Sequence, residues 1–192
     1  MLNILLLGPQ GSGKGTQAKR ISNEYGIPQV ATGEIFRAAI ARGDELGRQV
    51  EPILARGDLV PDELTIALIR ERLQEPDAQK GFVLDGFPRN VAQAEALDEL
   101  LDQLERPLSV VFELQIPDEV GIERLLGRAA EEGRKDDTPE VIARRLEIYH
   151  RETEPLIEHY RARGIVVGVQ ADAKVNEVFA QIQQALEQVA VR

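Results

Sequence analysis

One stretch near the start of the chain decides the fold: Gly8-Pro9-Gln10-Gly11-Ser12-Gly13-Lys14-Gly15-Thr16. It directly follows an apolar run at residues 4–7, which is too short for a helix and is typical of a strand buried on both faces. The glycines allow successive backbone N–H groups to point into one concavity, and a following helix would add its positive dipole end. Gly, four residues, then Gly-Lys is the spacing of a phosphate-binding loop, although Gly15 stands where Ser or Thr usually follows the lysine. A glycine-rich turn without a ligand is the alternative, but the preceding strand and the lysine at the right offset favour phosphate binding.

Strand and helix patterns alternate along the rest of the chain. Further short apolar runs lie at residues 28–31, 82–84, 110–112 and 165–167. Helix-compatible segments separate them, so the sequence predicts an α/β fold whose parallel sheet is covered by helices. Thr138 followed by Pro139 predicts a helix start, and Pro155 predicts a kink or end. Apolar residues at three-and-four spacing from Val175 to Val189 predict a last helix that covers the sheet.

Two stretches do not fit this alternation. Residues 32–60 are helical in pattern throughout, and residues 127–137 are short, polar and charged. We interpret both as insertions at the mouth of a binding site.

Composition excludes several classes of protein. The 192 residues include 23 Lys+Arg and 33 Asp+Glu, for a net charge of −10, which argues against a protein that coats nucleic acid. The absence of cysteine excludes a disulfide framework and any zinc site built on thiolates. No apolar run approaches the roughly 18 residues of a membrane span, and the N-terminus shows no basic leader. We therefore expect a cytoplasmic protein without membrane or nucleic-acid partners.

Motifs along the whole chain resemble the nucleoside monophosphate kinases, a family in which Gly follows the lysine of the phosphate loop. The matching segments are Gly8 to Gln17, Thr32-Gly33-Glu34-Ile35-Phe36-Arg37, Gly57-Asp58-Leu59-Val60-Pro61-Asp62, Asp85-Gly86-Phe87-Pro88-Arg89 with Gln93, Arg124 to Arg128, Gly133 to Asp137, and Arg145. Within this family the chain is most similar to the adenylate kinases. The resemblance implies a P-loop nucleoside triphosphate hydrolase-like three-layer α/β/α fold with a parallel five-stranded sheet in the order 2-3-1-4-5. It also implies one domain with a core at 1–30, 61–126 and 138–192, an AMP-binding insertion at 31–60 and a short lid at 127–137.

The function implied by the resemblance is reversible, Mg²⁺-dependent transfer of the terminal phosphoryl group of ATP to AMP, giving two ADP, by a monomer. The implied ATP-binding residues are Gly11, Ser12, Gly13, Lys14, Gly15, Thr16, Arg128 and Ala173. The implied AMP-binding residues are Thr32, Arg37, Asp58, Leu59, Val60, Gly86, Phe87, Pro88, Arg89, Gln93, Arg134 and Arg145. The implied catalytic residues are Lys14, Arg89, Arg124, Arg134 and Arg145. Arginine suits this work because its planar fork binds phosphate through two hydrogen bonds.

Asp85 is the expected contact to magnesium. It ends an apolar run, and a carboxylate at the tip of a buried parallel strand points towards the ligand crevice. There it can hold a hydrated Mg²⁺ through water, while the nucleotide carries the ion. A helix cap or turn residue is the alternative role. The short 127–137 segment has neither Cys nor His, so the zinc-binding lid found in part of the family is excluded, and the lid is expected to be a simple charged loop.

Three other functions remain open from the sequence. A UMP/CMP kinase on the same scaffold is the nearest, because Thr32 and Gln93 favour adenine whereas Asn90 is also common in pyrimidine kinases. A nucleotide-binding switch or structural ATPase would have no reason to keep the second site. A catalytically silent member is disfavoured by the intact Lys14, Asp85 and arginines.

Overall fold

The computed structural model describes residues 1–134 and 137–190 of the chain. Within them a five-stranded, wholly parallel sheet has the order β2-β3-β1-β4-β5, which confirms the predicted α/β class and strand order. The strands are β1 (Leu2–Leu7), β2 (Gln29–Ala31), β3 (Gly81–Asp85), β4 (Val110–Gln115) and β5 (Val166–Gln170).

Helices connect the strands and cover both faces of the sheet. They are α1 (Lys14–Tyr25), α2 (Thr32–Arg42), α3 (Glu45–Ala55), α4 (Asp62–Leu73), α5 (Val91–Gln103), α6 (Asp118–Glu132), α7 (Pro139–Ile148), α8 (Pro155–Arg161) and α9 (Val175–Ala190). A 3₁₀ turn covers Pro76–Lys80 and a π-helical turn covers Tyr149–Thr153. Among the described residues, no helix combines the length and the apolar character needed to cross a membrane.

Side chains alternate between two cores because successive residues of a strand point to opposite faces. On one face, Leu5 and Leu84 pack against apolar residues of α4, α5 and α8. On the other face, Ile4 and Val83 pack against α1 and α9. The result is the three-layer α/β/α arrangement, which holds the carboxyl ends of β1 and β3 side by side.

The first predicted insertion forms a small helical unit with its own apolar cluster. Phe36, Val50 and Val60 are its buried members. Helices α2 and α3 approach so closely that the backbone around Ala39 leaves no space for a Cβ atom on Gly47. The expectation that residues 32–60 are helical throughout was wrong at residues 43–44, which separate α2 from α3, and after Ala55, where the chain leaves the helix. Residue 31, the first of the implied insertion at 31–60, belongs to β2.

The second predicted insertion also differs from expectation. A simple charged loop was predicted over 127–137, but residues 127–132 continue α6, which ends at the left-handed Gly133. The sequence there is Gly-Arg-Ala-Ala-Glu-Glu, in which every residue except the glycine is a strong helix former. Lys135 and Asp136 lie outside the described residues.

Helix α7 begins where Thr138 and Pro139 predicted. The Thr138 hydroxyl accepts the backbone N–H of Val141 at 3.3 Å, and Pro139 occupies the first helical turn of α7. The helix is interrupted by the π-helical turn just before Pro155, where α8 begins.

Candidate active site

A cavity of about 490 Å³ opens at the carboxyl ends of β1 and β3. Parallel α/β sheets bind ligands at this edge, because the loops that follow the strands meet there. The predicted site residues that line it are Gly11, Gly13, Lys14, Gly15, Thr16, Thr32, Arg37, Asp58, Leu59, Val60, Asp85, Gly86, Arg89, Gln93, Arg124, Arg128, Arg134 and Arg145. Residues that are far apart in sequence therefore share one cleft.

The loop after β1 has the backbone that a phosphate cradle requires. Gly11 and Gly13 adopt φ values of +81° and +88°, in the left-handed region that glycine enters without steric penalty. Helix α1 begins directly at Lys14, so its free N–H groups and positive dipole end face the cavity. Ser12 is buried, and its Oγ has no hydrogen-bond partner within the described residues.

The Lys14 ammonium lies inside its own loop. Its Nζ donates to the carbonyl oxygens of Gly8 at 2.7 Å and of Pro9 at 3.0 Å. Burial lowers the pKa of Lys14 from 10.5 to about 8; the Asp85 carboxylate opposes this change, and Arg89 adds to it. An arriving phosphate would supply the negative charge that favours the protonated form.

The opposite side of the cavity is built by the start of α2 and the segment after β3. The Thr32 hydroxyl donates to the Gly86 carbonyl at 3.0 Å, and Arg89 Nε donates to the same oxygen at 2.8 Å. The Arg37 guanidinium lies over Gly33, where a Cβ atom would come within 3.2 Å of it. Two guanidinium groups thus stand where an acceptor phosphate would be held.

Asp58 joins this side of the cavity to α7. Its carboxylate accepts from Arg56 Nε at 3.0 Å and from Arg144 Nε at 3.1 Å. These hydrogen bonds, that from Arg56 first, hold the pKa of Asp58 below its ordinary value. Each carboxylate oxygen of Asp58 therefore already accepts a hydrogen bond from an arginine.

Positive charge is crowded around Arg89. Its pKa is lowered mainly by burial, with further lowering by the guanidinium groups of Arg145 and Arg37 and an opposing effect of the Asp85 carboxylate. Such crowding is unfavourable without a counter-ion and favourable around bound polyphosphate. The electrostatics therefore indicate an anionic ligand with several charges.

The remaining arginines are held by internal acceptors. Arg124 donates to the Ala171 carbonyl at 3.0 Å and to the Gly11 carbonyl at 3.4 Å. Arg134 pairs with Glu132 at 2.7 Å. The described part of the 127–137 segment therefore contains a pair of opposite charges, at Arg134 and Glu132.

Asp137 joins two of the predicted site arginines, although the sequence assigned it no role of its own. Its carboxylate is fully buried and bridges Arg128, at 2.7 Å, and Arg145, at 3.0 Å. Both arginines were predicted to face nucleotide phosphates. The buried carboxylate therefore neutralises part of the positive charge of these two arginines.

Four predicted site residues do not line the cavity: Ser12, Phe87, Pro88 and Ala173. Phe87 is buried in the core. Pro88 lines a smaller neighbouring pocket together with Tyr149 and Thr153. Ala173 is half-buried in the turn between β5 and α9, two residues after Ala171, whose carbonyl accepts a hydrogen bond from Arg124.

The environment of Asp85 fits a hydrated magnesium ion. The carboxylate stands at the end of β3, and a Cβ atom on Gly15 would lie 3.5 Å from its Oδ2, so it faces the phosphate loop directly. One carboxylate suits Mg²⁺ carried by phosphates, since the ion keeps most of its water ligands. Among the described residues, no group of three or more His, Cys, Asp or Glu side chains could cage a metal by itself.

Comparison with known proteins agrees with this geometry. The adenylate kinase family model matches residues 6–165. Adenylate kinase of Cyanothece sp. (strain PCC 7425 / ATCC 29141) is 49% identical over 189 residues, covering 98% of this chain and 97% of the relative. Adenylate kinase of Parvibaculum lavamentivorans is 46% identical over 188 residues, covering 96% and 92%, and that of Archaeoglobus fulgidus is 40% identical over 215 residues, covering 98% and 99%. Since both the family model and relatives of nearly full length match, the chain belongs to the adenylate kinase family of phosphotransferases.

Proposed function

We propose that the protein catalyses reversible, Mg²⁺-dependent transfer of the terminal phosphoryl group of ATP to AMP, giving two ADP. One observation carries the proposal: a phosphate loop and a second, arginine-lined site share one cavity, which Arg89 and Arg145 also line. A nucleotide-binding switch or a structural ATPase needs the loop but has no use for the second site. The relatives named above are adenylate kinases, and no observation favours the UMP/CMP kinase alternative.

The loop side would hold the donor. Backbone N–H groups at Gly11, Gly13 and Gly15 and the start of α1 would bind the ATP phosphates, and the Lys14 ammonium would leave the Gly8 and Pro9 carbonyls to meet them. Arg124 and Arg128 lie on α6 beside the loop and would neutralise further donor charge. Ala173 would contact the donor adenine through its backbone, in the turn that Arg124 approaches.

The α2 side would hold the acceptor. Arg37 and Arg89 would bind the AMP phosphate, and Thr32 and Gln93 would meet its base. The backbone of residues 58–60 and of Gly86 would complete this site. We keep the division into a core, an acceptor-binding insertion at 31–60 and a lid at 127–137 as part of the proposal.

Transfer itself would need alignment and charge neutralisation rather than a strong base. Lys14, Arg134 and Arg145 would stabilise the charge that spreads over the equatorial oxygens of the transferring group. When bound, magnesium would add neutralisation of the donor phosphates, with Asp85 holding its water shell. Closure of the lid would exclude water, so that ATP is not hydrolysed before AMP is in place.

A coupled assay of ADP formation tests the proposal, with ATP and each of AMP, UMP, CMP and GMP as acceptors. We expect a preference for AMP of at least about 100-fold, because buried polar groups reject a base that leaves them unpaired. Comparable turnover with UMP or CMP would contradict the adenine assignment, and ATP hydrolysis without any acceptor would favour an ATPase. Size-exclusion chromatography with light scattering would test the proposed monomer.

A further inference from the structure

The Gln93 side-chain amide is fixed at both of its polar atoms. Its Oε1 accepts the backbone N–H of Arg89 at 2.8 Å, and its Nε2 donates to Oδ1 of Asp62 at 2.9 Å. Gln93 is only 2% exposed, yet it lines the cavity beside Thr32 and Thr65. The side chain is therefore held in place before any ligand arrives.

Asp62 is itself held by a third residue. Asn90 Nδ2 donates to the same Oδ1 at 2.8 Å, and Asn90 Oδ1 accepts the backbone N–H of Gln93 at 2.9 Å. These hydrogen bonds form a ring that closes through the Gln93 backbone and joins the first turn of α4 to the first turn of α5. Sequence motifs alone assign no role to Asp62, and they mark Asn90 only as a residue that is also common in pyrimidine kinases.

This ring allows only one orientation of the amide. A backbone N–H can only donate and a carboxylate can only accept, so Oε1 must face Arg89 and Nε2 must face Asp62. Turning the amide over would set donor against donor and acceptor against acceptor. It would break two hydrogen bonds, one of them to a charged group.

The locked amide still has capacity for a ligand. A primary amide has two N–H donors and two acceptor positions, and the ring uses one of each. One donor and one acceptor of the amide therefore remain unused, and Gln93 lines the cavity. Adenine presents an amino donor at position 6 next to a ring-nitrogen acceptor, whereas hypoxanthine presents a carbonyl acceptor at position 6 next to an N1–H donor. A 6-oxo purine in the same position would require the amide to turn over.

We propose that Asp62 and Asn90 are positioning residues that determine specificity, because they lock the Gln93 amide in the orientation that accepts a 6-amino purine and rejects a 6-oxo purine. The inference rests on the proposed function, in which Gln93 meets the base of the acceptor.

IMP is the probe that isolates this effect, because it differs from AMP only at position 6 and the adjoining N1. We would measure kcat/KM for AMP and for IMP with ATP as donor, in the parent and in Asp62→Ala. We expect the AMP-over-IMP ratio to fall about 10- to 100-fold, the range for losing a hydrogen bond to a charged group. Asp62→Asn keeps the shape and offers only a neutral acceptor, so it should give a smaller fall in the same direction. It also keeps the proposal testable if Asp62→Ala does not fold.

Glu63→Ala is the matched control, since Glu63 is exposed in the same turn of α4 and its loss removes the same charge. Its ratio should stay within about twofold of the parent. Gln93→Ala should lower the ratio, and adding Asp62→Ala to it should lower the ratio no further, because the lock has nothing left to hold.

The outcomes separate the two proposals. If Gln93→Ala lowers the ratio but both Asp62 variants keep that of the parent, the lock is wrong and the proposed function stands. A purely structural role of Asp62 would lower kcat/KM for AMP and IMP alike, leave the ratio unchanged, and equally overturn the lock. If Gln93→Ala keeps the full ratio, Gln93 does not read the base and the inference fails together with that part of the acceptor assignment. A parent without AMP-dependent turnover would contradict the proposed function itself.

Discussion

Removing the Asp137 carboxylate should destabilise the fold far more than removing an exposed acid nearby. Asp137 has 0% side-chain exposure and bridges Arg128 and Arg145, which are 28% and 13% exposed. Loss of one partner of a buried ion pair costs about 3–5 kcal/mol, because the other charge is left without compensation in a poorly solvated place. Both arginines reach some solvent here, and Arg145 has other interactions. We therefore expect Asp137→Ala to lower the free energy of unfolding by about 2–3 kcal/mol.

Glu132→Ala provides the comparison. Glu132 is 53% exposed and pairs with Arg134 at the end of α6, so its loss should cost less than about 1 kcal/mol. Both variants change the net charge by the same amount, and urea unfolding at one pH and salt concentration measures both. For a chain of this size, the loss at Asp137 corresponds to a Tm lower by about 4–12 °C. Equal losses in the two variants would show that the buried bridge contributes no more than a surface pair, and our reasoning about it would be wrong.

Three further predictions concern the ligand-binding groups. Lys14→Met should reduce turnover by about 100- to 1000-fold while nucleotide binding falls much less, and turnover within a few-fold of the parent would contradict the role of Lys14. Because the pKa of Lys14 is lowered to about 8 in the free protein and phosphates raise it, Lys14 should take up about half a proton when ATP binds at pH 8, and almost none at pH 6. Calorimetry in two buffers of different ionisation enthalpy measures this uptake, which Lys14→Met should abolish. Arg134→Ala should lose about 10- to 1000-fold in turnover, with its affinity for AMP nearly intact. The control is Arg151→Ala, at an exposed arginine paired with Glu147 and Glu152, which should change neither turnover nor AMP affinity. A matching loss of AMP affinity in Arg134→Ala would place Arg134 in the open acceptor site instead.

The parts of the structure that sequence predicted are those fixed by local patterns. The phosphate loop, the strands around it and the cap at Thr138 follow from spacing and residue type within a few positions of one another. The continuation of α6 through residues 127–132 could also have been predicted, because Ala129 and Ala130 favour a helix and Gly133 ends it. The loop was predicted from the polar and charged composition of that segment, which is equally compatible with a solvent-exposed helix.

The parts that sequence did not predict depend on contacts between distant positions. Asp62 meets Gln93 across 31 residues, and Thr153 donates to the Arg89 carbonyl at 2.6 Å across 64. Asp137 is near Arg128 in sequence, but its burial depends on how α6 and α7 pack. No local pattern distinguishes these side chains from solvated ones, so only the folded chain shows their partners.

The phosphate loop and α6 are in direct backbone contact at Gly121. Gly121 lies in the first turns of α6, and a Cβ atom there would come within 2.9 Å of the Gln10 carbonyl in the loop. Helix α6 has 15 residues and is therefore about 22 Å long, with the loop at one end and the lid at the other. A tilt of about 5° at the Gly121 end would move the far end by about 2 Å over that length. A displacement of the Gln10 carbonyl towards α6 would therefore press on the helix backbone at Gly121, where there is no space even for a Cβ atom.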